Sequence, residues 1–363
     1  MATAAAGATG DVLAWGSGRL WIARSGGRLE SLTHELSAMV APALTAAGCW
    51  CATQRGGLAA WRRDAGGAWR EALRLPFENP VHALAASADD RWVLAAHGQQ
   101  LTLLDGDGRI AKNYEGHDLA RRRRGEARWL AHLPQRQSFV VALPALGELW
   151  EIQLDPQAAP IHDGLVHDYR MDEAIASPGF LGVRRTPLAT PLPAFAFASE
   201  AAPWVAGIDG ANADRVVVVH LDVRRAVASL ALPGARPAGA VLRREGGEWR
   251  WWLPTAAGIE AVDAASWRAV ARLEVEGRAH ALQFVGGRLW VLAASPSGPS
   301  LLLRQHERGW SAARIDIGEP IGLAVRGSTL LVAGSAAVQQ HAADAARRQR
   351  WLAPPATTFA GAG

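Results

Sequence analysis

Residues 160–188, "PIHDGLVHDYRMDEAIASPGFLGVRRTPL", gather His162, Asp163, His167, Asp168, Tyr169, Arg170, Arg184 and Arg185 within a short span. A histidine flanked by Asp and Tyr can hold or move a proton. Guanidinium groups such as Arg170, Arg184 and Arg185 match carboxylates bidentately. The same residues also suit a solvated loop in which an aspartate caps a short turn and pairs with Arg170. Two other histidines stand out by position, because "NPVHAL" and "GRAHAL" place His82 and His280 at the start of comparable apolar strands. The run 120–128, "ARRRRGEAR", lies beside His117 and Asp118 and suits either an anion site or a solvated loop. Cys49 and Cys51 in "GCWC" share one strand face and read as two small buried residues. A covalent c-type haem needs C-x-x-C-H, which the chain lacks.

The elements that must carry these residues are strands. The 363 residues are 49% hydrophobic, enough for a substantial core, and the formal charge is only +4. Lys112 is the single lysine, so the cationic surface is arginine, suited to carboxylate-bearing ligands. No aromatic ladder interleaves with basic residues, which argues against nucleic acid. No apolar run approaches the ~18 residues of a membrane span. The first residues lack the pattern of a secretory signal. The expected location is therefore cytoplasmic, or periplasmic if the sequence is a mature form or its start is misplaced. Walker A, G-x-G-x-x-G, G-x-S-x-G and H-E-x-x-H patterns are all missing. The "GHD" at 116–118 has no partner spacing that would make a metal site.

A repeat sets the architecture. "LLDGDGRI" at Asp105, "HLDVRRAVASL" at Asp222 and "AVDAASWRAVARL" at Asp263 share one pattern: an apolar strand ending in Asp, a tight polar turn, then another strand. Roughly eight units follow, at 12–45, 46–76, 77–115, 126–164, 191–233, 237–276, 277–318 and 319–352. This length per unit predicts an all-β, eight-bladed β-propeller over 12–352, with seven blades as the alternative count. Residues 1–11 and 353–363 are expected to be tails. Helical periodicity is confined to a short turn near Met171 to Ala176. On this scheme residues 160–191 form a long link between blades four and five at the mouth of the central channel. In an eight-fold ring units three and seven are opposite, which sets His82 and His280 across that channel. The matching positions in units six and eight are Gly239 and Gly322.

"RQSFVVALPALGELWEIQLDP", the 160–188 segment and "HLDVRRAVASLAL" together resemble the cytochrome d1-type propellers, with their closest likeness to the NirF-like branch. The likeness runs from about Asp89 to Leu232. It implies an eight-bladed propeller that binds haem d1, or a late tetrapyrrole precursor, non-covalently for haem d1 maturation or delivery in denitrification. Other haem d1 maturation proteins are the implied partners. Arg170, Arg184 and Arg185 would hold the tetrapyrrole carboxylates. His167 beside Asp168, or His82 or His280, would approach the iron. His167, Asp168 and Tyr169 would position the ligand or move a proton. Family nitrite reductases place two histidines on the distal side. His280 matches one and Gly322 stands where the other would fall, so nitrite reduction is not expected. A diverged propeller serving as a non-catalytic protein-interaction scaffold is the alternative from a different class.

Overall fold

In the computed structural model the described residues are 3–6, 12–16, 19–23, 29–33, 35–37, 39–162, 176–192, 194–197, 203–295, 298–306, 309–326, 329–334, 337–342 and 348–352. They form an all-β chain of eight four-stranded antiparallel sheets, each with its strands in simple sequence order. Two single-turn 3-10 helices, Pro134–Arg136 and Pro237–Gly239, are the helical elements among the described residues. Four-stranded meanders repeated along the chain are the building unit of β-propellers.

Burial within a sheet explains the sequence pattern. Middle strands such as Gly48–Ala52 and Ser138–Leu143 are buried at every position, so they read as unbroken apolar runs. First strands alternate, as Val81–Ala86 does. Fourth strands such as Trp69–Leu75 and Arg225–Ala231 are mostly exposed and carry charge.

The chain divides into two compact units, one of residues 42–212 and 217–229, the other of 1–41, 213–216 and 230–363. In the first unit, Leu94, Leu103, Phe139 and Trp150 join sheets three and four in one apolar layer. Leu133, Val140, Leu149, Val205 and Val219 then join sheets four and five. In the second unit, Trp252, Ile259, Leu282 and Val291 fill the layer between sheets six and seven. Burying one indole of about 200 Å² is worth on the order of 5 kcal/mol at ~25 cal/mol per Å². Trp50, Trp150 and Trp251 are all fully buried, so the tryptophans hold the layers together. In that second unit the first strand of sheet one, Thr3–Ala6, packs beside the first strand of sheet eight, Pro320–Arg326. Part of the expected tail 1–11 thus contributes a strand.

The aspartate turns are hydrogen-bonded hairpins between third and fourth strands. Asp105 Oδ1 accepts from the amides of Asp107 and Arg109 at 3.0 and 2.8 Å. Asp64 does the same for Gly66 and Ala68, and Asp263 for Ser266. Asp155 begins such a turn by accepting from the Gln157 amide at 2.9 Å. The chain then continues and returns only at Val183–Pro187, the fourth strand of the same sheet.

This corrects the sequence expectation. Residues 160–191 are not an inter-blade link; most of them are an insertion between the third and fourth strands of sheet four. The link to sheet five is the short stretch between Pro187 and Ala194. Unit four accordingly extends to residue 187 rather than ending at 164.

Candidate functional site

Sheet four has two ends, and the candidate residues distribute between them. Leu133, Ser138 and Gln153 form the row at one end, and the insertion leaves from it. Trp129, Ala142, Leu149 and Thr186 form the row at the other, about 13 Å away by strand rise. His82 belongs with this second end. It begins the first strand of sheet three, and its Nε2 donates to the carbonyl of Ala127 at 2.8 Å, just before sheet four starts. The insertion and His82 therefore do not share a mouth.

The base of the insertion is well tied. Ile161 and Ser177 exchange two backbone hydrogen bonds of 2.8 Å. Lys112 Nζ and Tyr114 Oη both donate to the Leu181 carbonyl at 2.9 Å. Burial lowers the Lys112 pKa and raises that of Tyr114. Gly179 and Gly182 sit so close to neighbouring carbonyls that a Cβ would lie 2.1 Å from Ala158 O or Pro178 O, so glycine is required. Asp163, His167, Asp168, Tyr169, Arg170 and the turn expected near 171–176, except for its last residue, lie outside the described residues.

Arg184 and Arg185 lie on the returning strand, and both guanidinium groups are engaged. Glu151, buried in the third strand, accepts from Arg136 Nε at 2.7 Å, Arg136 Nη2 at 3.1 Å, Arg184 Nη1 at 3.2 Å and Ser138 Oγ at 3.0 Å. Arg136 Nη2 also reaches the half-exposed Asp222 at 2.8 Å. This pairing keeps the Arg136 pKa above its ordinary value despite the desolvation that opposes it. Arg185 stacks over Trp150 at 4.3 Å, pairs with Glu148 at 3.2 Å and donates to the His117 carbonyl at 2.6 Å. It ties the outer strand of sheet four to the link after sheet three.

The two strand-start histidines sit in different compact units and differ in chemistry. A carbonyl only accepts, so the His82 Nε2 carries a proton, and the lone pair of the neutral imidazole is on Nδ1. His280 is the reverse in partner: its Nδ1 faces the Arg236 guanidinium, which only donates, so the imidazole proton sits on Nε2. Burial, with the charges of Arg236 and Arg278, pushes the His280 pKa down to about 4. It is therefore a neutral Nε2–H donor at physiological pH. Burial and the neighbouring Arg278 charge lower the Arg236 pKa as well. Neither Arg236 nor Arg278 has a carboxylate partner among the described residues. The backbone of Gly239 lies against His280, where a Cβ would be 2.2 Å from its carbonyl oxygen.

Sequence reasoning missed Glu151, Arg136, Asp222, Arg236 and Arg278. Glu151 had a readable sign, a carboxylate in the middle of the apolar strand "ELWEIQ", where a buried charge needs a partner. The Asp in "EIQLDPQ" also matches the turn aspartates, which would have placed the insertion inside the sheet. Cys49 and Cys51 are buried with sulfurs 3.8 Å apart and are not bridged. Among the described residues no group of three or more His, Cys, Asp or Glu is gathered to hold a metal ion, and no helix is long and apolar enough to cross a membrane.

No family model matches the sequence, and no curated protein matches it. Solved structures do share its fold. The dihydro-heme d1 dehydrogenase NirN, in complex with DHE, aligns with a TM-score of 0.70 at 18% identity over 93% of this chain and 72% of its own. BamB from Moraxella catarrhalis gives 0.56 at 13% identity over 96% and 94%. A chain of the Mitotic Checkpoint Complex gives 0.51 at 12% over 84% and 83%. At these identities the shared property is the propeller fold.

Proposed function

We propose that this chain is an eight-bladed propeller of the cytochrome d1 type, in the NirF-like branch. It binds haem d1 or a late tetrapyrrole precursor non-covalently and acts in its maturation or delivery. The observation that carries this reading is the Arg236–Arg278 pair beside the neutral His280. Arg236 is partly buried next to the Arg278 charge and has no carboxylate of its own among the described residues, an arrangement that an anionic ligand would neutralise. A tetrapyrrole brings several carboxylates, so the residues present fit the group. The fold likeness to NirN, an enzyme of a haem d1 derivative, supports the same class.

In this reading Arg236 and Arg278 grip carboxylates, and His280 donates from Nε2 to an acceptor on the ligand. His82 offers its Nδ1 lone pair, oriented by the Ala127 carbonyl on the other nitrogen. His167, Asp168, Tyr169 and Arg170, the residues first expected to position the ligand or move a proton, belong to the insertion at the other end of sheet four and would act on it only from there. The bound tetrapyrrole itself supplies the metal-centred chemistry.

A second reading, the non-catalytic interaction scaffold, is favoured by one observation: Arg184 and Arg185, expected to grip carboxylates, are paired with Glu151 and Glu148. Titration with haem d1 under the visible spectrum separates the two. The tetrapyrrole reading expects a Soret shift at micromolar concentration that His82→Ala alters. It also expects Arg236→Gln with Arg278→Gln to weaken binding about tenfold or more, as lost charge-assisted hydrogen bonds do. An unchanged spectrum at micromolar ligand leaves the scaffold reading.

A further inference from the structure

The insertion of sheet four walls a cavity of about 630 Å³ at the sheet end opposite His82. Its lining includes Arg136, Arg184, Arg224, Gln135, Gln153 and His162, with Asp155 as the one carboxylate. Glu151 and Asp222 do not line the space, so an entering group meets the arginines before it meets their partners. Glu151 is buried, and by accepting from both Arg136 and Arg184 it fixes two guanidinium groups side by side. Neither the Arg136 Nη1 nor the Arg184 Nη2 edge has a protein acceptor among the described residues. The side-chain amides of Gln135 and Gln153 add neutral donors with no protein partner there.

A space of this size falls in the range of small-molecule pockets. Long insertions in otherwise tight hairpins are uncommon, and binding loops are one of the main reasons for them. The sheets closed by the Asp64, Asp105 and Asp263 turns make the same connection in a few residues, so the sheet needs no insertion to form. We infer that this cavity binds a small organic oxyanion, a carboxylate or phosphoryl group held between Arg136, Arg184 and Arg224, as a site separate from the Arg236–Arg278 cluster. The half-exposed Asp222 carboxylate competes with that ligand for the arginines. The inference does not rest on tetrapyrrole binding.

Calorimetric titration of the whole chain with glutarate and with inorganic phosphate tests it. Binding in the millimolar range or tighter is expected for at least one probe, and which of them binds identifies the oxyanion. Arg224→Gln leaves the Glu151 pairs intact and should weaken binding by roughly tenfold. Asp222→Asn should strengthen it several-fold, an effect that damage to the fold does not produce. The proposal is overturned if neither probe binds up to roughly 20 mM, a concentration that covers the weakest specific ligands. Equal affinity in the wild type, Arg224→Gln and Asp222→Asn would overturn it as well.

Discussion

Glu151 in sheet four and Glu260 in sheet six are alike in most respects. Each is a buried carboxylate on a third strand, cross-paired in register with an arginine of the fourth, Arg184 or Arg272. Glu260 has Arg272 as its one ion-pair partner among the described residues, and that arginine is more than half exposed. Glu151 holds two arginines and a serine, and both arginines are mostly covered. One arginine suffices to neutralise a buried carboxylate on this scaffold. The second at Glu151 is therefore surplus to folding, and the cavity beside it gives the surplus a use. The Arg236–Arg278 cluster extends the series to two arginines with no carboxylate.

The sharpest test of this contrast is stability. Glu151→Ala leaves two covered guanidinium groups and a buried hydroxyl without their acceptor, and should cost about 3 kcal/mol. Glu260→Ala frees a largely exposed arginine and should cost about 1 kcal/mol. Urea unfolding of both variants measures the difference, and equal losses would break the comparison. Next in size, Gly239→Ala drives a methyl group into the His280 carbonyl and should cost roughly 2 kcal/mol, in the range of overpacking. It should also disturb ligand binding at the Arg236–Arg278 cluster while leaving glutarate or phosphate binding unchanged.

A pH series addresses the cluster without carboxylates. His280 has a pKa of about 4 when folded against 6.5 as a free side chain. Between those values the unfolded chain holds the extra proton, so its contribution to stability falls as pH drops from 6.5 to 4. His280→Asn should flatten that part of the profile, measured as midpoint against pH. The insertion itself is tested by replacing residues 156–182 with the short turn that follows Asp105. That change removes the Lys112 and Tyr114 bonds to Leu181, at about 1 kcal/mol each, and preserves the sheet content seen by circular dichroism. Binding of glutarate or phosphate should vanish with it.

Much of the architecture was legible because middle strands are buried on both faces. Runs such as "FVVAL" and "RVVVV" announce themselves, and the aspartate turns punctuate them. Outer strands were harder, since a strand with one solvated face need not be apolar. "VRRTP" in Val183–Pro187 is such a strand, and its arginines read as carboxylate-gripping residues on an inter-blade link. That single misreading moved 160–191 to the wrong end of the sheet. The candidate site was legible in part: residue types and the His82 and His280 positions could be read, their partners could not. Arg136 meets Glu151 across a hairpin, and Asp222 comes from the next sheet, pairings that only the packed fold brings together.

The packing of Thr3–Ala6 beside Pro320–Arg326 has a consequence for biosynthesis. Thr3–Ala6 pairs at once with Val12–Gly16, but the strand it packs beside is made more than three hundred residues later. Until then the side of the strand that Pro320–Arg326 will cover is open to wrong contacts, with the nascent chain itself or with another copy. The short, alanine-rich segment "TAAA" suits that wait, because it offers little apolar side chain to capture a stranger before the right neighbour arrives.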